Sequence, residues 1–163
     1  MRKSSLLISF ILIFIILADK LEAQKFEFIQ VPELEKILKN PENKLYVVNF
    51  WATWCPPCVK EFPYFQKLAK EYDPEKVEFI MISLDFRSDL ESKLIPFLEK
   101  NNVTVDVALM TDLDYNSWID KVDPSWQGEI PSTLIFNNSR KVRLFHPGEL
   151  DEQGLRKLIN NSL

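Results

Sequence analysis

The sequence predicts an α/β domain organised around a central sheet. Beyond Gln24, helix-like and strand-like patterns alternate to the end of the chain, the ordering of helices packed against a sheet. LYVVNFWA (45–52) and VEFIMISLD (77–85) are runs of mainly apolar, β-branched and aromatic residues, the pattern of strands covered on both faces. STLIFNNSRKVRLFH (132–146) reads as a hairpin turning at Asn137, Asn138 and Ser139, which adds an antiparallel pair at the C-terminal end.

The elements follow in order. MRKSS is a basic start, and in the run Leu6 to Leu17 only Ser9 is not apolar, so residues 1–23 read as an export signal cut between Ala23 and Gln24. An uncleaved membrane anchor is the alternative, although twelve helical residues reach about 18 Å against a hydrocarbon core of roughly 30 Å. Residues 24–163 then form a single domain. VPELEKILKN (31–40) carries Leu34, Ile37 and Leu38 at helical spacing and stops at Asn40-Pro41. The first buried strand follows, then a helical pattern of Phe62, Phe65, Leu68, Ala69 and Tyr72, then the second buried strand. Between Ser88 and Asn102 a helix is expected, with Leu90, Leu94, Ile95 and Leu98 on one face and Pro96 bending or shortening it. VTVDVALM (103–110) reads as a short strand and LDYNSWIDKV (113–122) as a short helix. After the hairpin, DEQGLRKLINN (151–161) closes the chain as an amphipathic helix capped by Asp151.

Composition narrows the function. A chain of 163 residues, 46% hydrophobic and 27% charged, has the profile of one globular domain. Removing residues 1–23 takes away Arg2, Lys3 and Lys20 against Asp19 and Glu22, which moves the net charge from −4 to −5. A mildly acidic product argues against nucleic acid as a partner. Export places the cysteines where disulfides persist, yet the chain has only two, Cys55 and Cys58. No disulfide framework can be built from one pair.

These two cysteines sit in WCPPC, at the start of the predicted helix, where residues three apart lie on nearly the same face and their sulfurs can reach bonding distance. Helix N-terminal N–H groups stabilise an anion there, so the first cysteine is the more acidic one. Cys55 is therefore expected to be the nucleophile and the more buried Cys58 the resolving thiol. Pro56 and Pro57 fix φ and lack N–H groups, which stiffens the turn and suits the opening of a helix. A structural staple is a poor alternative, because so small a loop removes little unfolded-state entropy. Zinc needs four ligands, and His146 is the only histidine. Covalent haem attachment needs a histidine after the second cysteine, where Val59 stands. Neither a metal nor a cofactor is implied.

NFWATWCPPCVKEFP (49–63) resembles the thioredoxin superfamily, most closely its exported bacterial thiol-disulfide oxidoreductases of the TlpA and ResA type. GEIPSTLIF (128–136) is similar to the family loop whose cis proline faces the active-site sulfurs, pointing to Ile130-Pro131. The resemblance implies a thioredoxin-like fold, a central mixed sheet with helices on both faces. It also implies a substrate-contact surface made by Trp54, Pro56, Pro57, Ile130 and Pro131. A cis proline has no N–H, which leaves neighbouring backbone free to pair with an extended substrate. Thioredoxin itself carries a buried aspartate where this chain has Asn49, and an amide is no base. In the TlpA and ResA branch a glutamate three residues after the second cysteine serves instead, which transfers the role to Glu61, whose partial burial would raise its pKa.

The activity so implied is exchange of the CPPC dithiol or disulfide with client proteins, more in the reducing than the oxidising direction, by a monomer of the periplasm or cell envelope. A membrane electron-relay protein would recharge it. Two other readings stay open. A peroxide-reducing redoxin shares the fold, but no PxxxTxxC pattern precedes either cysteine; a binding module that only holds thiol clients would not need the sulfurs at all. Trp118 and Trp126 read as core or as walls of a substrate groove, and His146 as a surface residue at a strand-to-helix turn.

Overall fold

The computed structural model describes residues 26–163; the signal segment expected over 1–23 lies outside them. Six strands form one sheet in the order β1-β4-β3-β2-β5-β6. They are β1 (Phe26–Ile29), β2 (Leu45–Trp51), β3 (Val77–Ser83), β4 (Asp106–Met110), β5 (Ser132–Asn137) and β6 (Val142–Pro147). β1, β4, β3 and β2 are parallel, whereas β5 pairs antiparallel with β2 and β6 antiparallel with β5. The sheet is therefore mixed, and the fold is α/β.

Helices α1 (Val31–Leu38), α2 (Pro56–Glu71), α3 (Ile95–Lys100), α4 (Ile119–Val122) and α5 (Glu152–Ser162) complete the domain. β2 shows why two apolar layers form. Every one of its residues is buried, and successive side chains point to opposite faces. Leu45, Val47 and Trp51 join the layer under α2, α3 and α5, while Tyr46, Val48 and Phe50 join the layer with Leu34, Trp118 and Trp126. Trp118 stacks on Phe50 at a centroid distance of 6.0 Å, Trp126 packs tilted against it at 4.6 Å, and both are fully buried. They are core residues, which excludes the groove reading.

Local chemistry sets the element ends. Asp151 accepts the Gly154 N–H at 2.7 Å and caps α5. Asp151→Ala is expected to cost about 1 kcal/mol, read as a lower denaturation midpoint with an unchanged slope. Residues 87–100 depart from the single helix expected there. A 3-10 turn (Arg87–Asp89), a π-helical turn (Leu90–Leu94) and α3 follow one another. Pro96 in the first turn of α3 has no N–H to donate back into the preceding turn. The hairpin turn covers Asn138 to Lys141, with Lys141 at φ 58°. His146 lies inside β6, opposite Thr133, rather than in the turn that follows. β1 has no buried run to mark it in the sequence, since only Ile29 of its four residues is buried.

Because β2, β3 and β4 are parallel, their carboxyl ends share one edge of the sheet, the edge where open α/β sheets bind their ligands. Cys55 follows β2 there and Asp85 follows β3. β5 begins at the same edge, with Ser132 opposite Phe50, which delivers Pro131 to it. Among the described residues, no helix is long and apolar enough to cross a membrane.

Candidate active site

Cys55 is the N-cap of α2, in extended backbone conformation, with Pro56 and Pro57 as the first two helical residues. Proline suits these positions because its missing N–H would be unpaired in the first turn anyway. Cys55 and Cys58 are joined as a disulfide, their Cα atoms 5.3 Å apart. The Cys58 N–H donates to Cys55 Sγ at 3.3 Å, so the first sulfur receives a backbone donor at the positive end of the helix. Cys55 retains 5% of its surface and Cys58 1%. Trp54, directly before the pair, is 49% exposed. Pro56 is exposed and Pro57 half-buried.

The Ile130-Pro131 peptide bond is cis. The Ile130 carbonyl oxygen lies 3.7 Å from Cys55 Sγ, so the residue before the proline meets the first sulfur across 75 positions of sequence. The Gly148 N–H donates to the Pro131 carbonyl at 2.8 Å and ties the end of β6 to this loop. Gly148 has φ 91°, a conformation that side chains with a Cβ rarely adopt. Trp54, Pro56, Pro57, Ile130 and Pro131 thus occupy the same edge of the sheet as the disulfide. Pro131 itself is buried.

One turn along α2 from Cys58 a polar network lies within the apolar layer. Glu61, one turn beyond Cys58 on α2, is fully buried rather than partly so. Its carboxylate accepts the Asn49 Nδ2–H at 2.9 Å and the Leu150 backbone N–H at 2.7 Å. Asn49 also donates to Thr133 Oγ1 at 3.1 Å, its direct cross-strand neighbour. Burial raises the Glu61 pKa from 4.5 to about 7, with the Leu150 and Asn49 hydrogen bonds opposing the rise and the Glu149 charge adding to it. Nearby, the Lys60 ammonium pairs with Glu149 at 2.5 Å, so the segment that supplies the Leu150 N–H is fastened to α2 a second time.

A buried carboxyl that titrates near neutrality, one helical turn from a buried cysteine, can take or return a proton at physiological pH. Sequence reasoning identified Asn49 as the loss of a base, but not as the donor that holds Glu61. It also missed Thr133, the Leu150 N–H and Asp85. Asp85 had a legible signal, an acidic residue closing an otherwise buried strand. Among the described residues, no group of three or more His, Cys, Asp or Glu side chains is placed to hold a metal.

The model of the AhpC/TSA family matches residues 18–145. The chain belongs to the AhpC/TSA family. Within that thioredoxin-like family, the thiol-disulfide oxidoreductase ResA of Bacillus subtilis (strain 168) is 30% identical over 125 residues, covering 76% of this chain and 64% of that protein. The ResA of Halalkalibacterium halodurans is 26% identical over 122 residues, covering 75% and 64%. The chain spans 64% of the length of these two relatives. Among solved structures, a thioredoxin-related protein from Neisseria meningitidis serogroup B superposes with a TM-score of 0.65 at 25% identity, covering 77% of this chain and 89% of that one. StoA from Bacillus subtilis superposes with a TM-score of 0.56 at 20% identity, covering 74% and 85%, and so speaks to the fold alone. The AhpC/TSA assignment and these neighbours agree with the thioredoxin-like architecture that the CPPC segment and the Ile130-Pro131 loop implied.

Proposed function

We propose that this protein is an exported thiol-disulfide oxidoreductase that reduces disulfides of client proteins in the periplasm or cell envelope. The observation that carries the reading is the Cys55–Cys58 pair at the N-terminus of α2, faced by Ile130 and backed by buried Glu61. The likeness to proteins named ResA supports it. The basic, apolar pattern of residues 1–23 supports export, either as a cleaved signal or as an anchor, with residues 24–163 as the working domain.

In the reducing direction, the Cys55 thiolate attacks one sulfur of a client disulfide. A Cys55–client bond forms and the other client sulfur leaves as a thiolate. Glu61 takes the proton of Cys58, whose sulfur then attacks Cys55 Sγ. The Cys55–Cys58 disulfide closes, the second client sulfur leaves, and two electrons have passed to the client. Asn49 serves both states of Glu61, since its Nδ2–H donates to the carboxylate and its carbonyl, with the amide turned over, can accept from the acid. Trp54, Pro56, Pro57 and Ile130 form the contact surface for the client chain, with buried Pro131 directly behind Ile130 in the loop. The oxidised monomer is recharged by another dithiol, supplied by a membrane electron-relay protein, and no soluble cofactor or nucleic acid takes part.

The purified domain should reduce insulin disulfides when supplied with a dithiol, and its reduction potential sets the direction. A potential near about −120 mV, the range of a strong oxidant, would overturn the reductase assignment. Rapid consumption of hydrogen peroxide with no insulin reduction would replace thiol-disulfide exchange by peroxide reduction.

A further inference from the structure

At the end of β3, Asp85 is buried, with 2% of its surface exposed, and its carboxylate is directed at the turn that leads into Cys55. The Thr53 N–H donates to both carboxylate oxygens, at 3.2 and 3.0 Å, and the Thr53 hydroxyl donates to Oδ1 at 2.5 Å. Ser83 Oγ donates to Oδ2 at 2.7 Å and accepts the Asp85 N–H at 3.1 Å. These contacts join the ends of the two central strands, where the Leu84 N–H also reaches the Trp51 carbonyl at 2.7 Å. Thr53 and Trp54 are the middle residues of a turn closed by the Cys55 N–H on the Ala52 carbonyl at 3.2 Å.

A buried carboxylate is costly unless its acceptors are filled. Here they are filled by both donors of one turn residue and by the Ser83 hydroxyl. The Thr53 N–H lies just past the last ladder position of β2 and would otherwise lose its partner. Gripping Thr53 at two points fixes the peptide plane that leads into Trp54. The indole of Trp54, the residue directly before Cys55, is then held out at 49% exposure, while Trp51, Trp118 and Trp126 are fully buried.

We propose that Asp85 is a positioning residue that clamps Thr53 and thereby presents the Trp54 indole beside Cys55 for contact with the client chain. This rests on the thiol-disulfide reading only in what Trp54 touches; the clamp itself stands without it. Asp85 touches no reacting atom. Its effect should fall on client recognition and leave the intrinsic reactivity of Cys55 in place.

The test uses the oxidised protein labelled with 5-fluorotryptophan, whose four indoles give four ¹⁹F lines. The Trp54 line is the one broadened by a soluble paramagnetic agent. Asp85→Asn, which turns an amide N–H₂ or a poorer acceptor toward the Thr53 donors, should shift and broaden that line and leave the other three in place. Catalysed insulin reduction should fall about tenfold, mainly through KM, well short of the ~10²-fold that a misplacement of about 1 Å can cost. Reaction of the reduced protein with a small aromatic disulfide should change by less than about twofold. Thr53→Val, which removes only the hydroxyl bond, should act in the same direction, and Thr53→Ser should behave as wild type.

An unmoved Trp54 line in both Asp85→Asn and Thr53→Val overturns the clamp. So do four lines that move together, or equal losses with insulin and the small disulfide, because these mark a global effect on the fold or the chemistry. If the Trp54 line responds while the wild-type protein reduces no disulfide, the clamp stands and the functional reading falls.

Discussion

Cys58→Ser is expected to accumulate mixed disulfides with client proteins through Cys55, and Cys55→Ser to accumulate none. Turnover of protein disulfides should fall to the uncatalysed background in both. The asymmetry follows from position on α2. Cys55 stands at the N-cap, receives the Cys58 N–H at 3.3 Å and keeps part of its surface open. A free cysteine of pKa about 8.5 is only a few per cent thiolate at pH 7, and the helix N-terminus favours the Cys55 thiolate over the thiol, which raises the reactive fraction. Cys58 lies one turn deeper and is fully buried, so a folded partner cannot reach its sulfur. Without Cys58 the first exchange still occurs and the second does not, which stretches the lifetime of the adduct. Non-reducing gels followed by mass spectrometry of the cross-linked peptide read the outcome directly. Adducts formed equally well through Cys58 in Cys55→Ser would reverse the roles of the two sulfurs. A Cys55→Ser, Cys58→Ser double variant that still reduced insulin at the wild-type rate would leave a binding module in place of an enzyme.

The parts of this site that could be read from sequence are those whose physics is local. WCPPC declares itself because a cysteine before two prolines at a helix start confines donors, backbone angles and sulfur spacing within four residues. The buried strands are legible for the same reason, since β2 carries its double-sided burial in a single apolar run. What escaped is set by pairing across the sheet. Asn49, Glu61, Thr133 and Leu150 meet through hydrogen bonds between residues 12, 84 and 89 positions apart, and no periodicity records such contacts. Asp85 reaches Thr53 across 32 positions, because two parallel strands end at one edge. The resemblance to TlpA and ResA proteins pointed to Glu61, and the fold supplies the reason its carboxyl is unusual. It is fully buried one turn beyond Cys58 and fed by two donors, where a carboxylate on an open helix face would be in water. Residues 87–100 escaped for the opposite reason. Their helical periodicity is real and Pro96 marks the interruption, but apolar spacing does not show that the chain passes through a 3-10 and a π turn before the α-helix.

Glu61→Gln should remove the inflection near pH 7 from both stability and resolution. In the wild type the Glu61 pKa rises from 4.5 to about 7 on folding, so between these values the folded chain holds a proton that the unfolded chain has released. Stability therefore falls as pH rises through this window and levels off above about 7. The loss approaches about 3 kcal/mol, at 1.36 kcal/mol for each pH unit between the two pKa values. The amide that replaces the carboxyl has no charge to bury. Its carbonyl can still accept the Leu150 N–H, and its N–H₂ can donate to an Asn49 side chain turned over to present oxygen. The variant should lose this part of the pH dependence and become the more stable protein above pH 7, as denaturant midpoints at pH 5 and pH 8 will show. Catalysis should move the other way. Wild-type resolution accelerates through about pH 7 as the carboxylate forms and can accept the Cys58 proton. Glu61→Gln must wait for hydroxide or water, and its rate should keep rising with pH beyond the wild-type inflection, because burial of Cys58 disfavours its thiolate. Loss of a general base typically costs 10²- to 10⁴-fold, of order 100-fold or more at pH 7. Attack by Cys55, measured in a single turnover, should persist. A variant more stable at pH 8 yet slow to resolve separates a proton carrier from a structural carboxylate. If the inflection near pH 7 survives in Glu61→Gln, the proton of Cys58 leaves by another route.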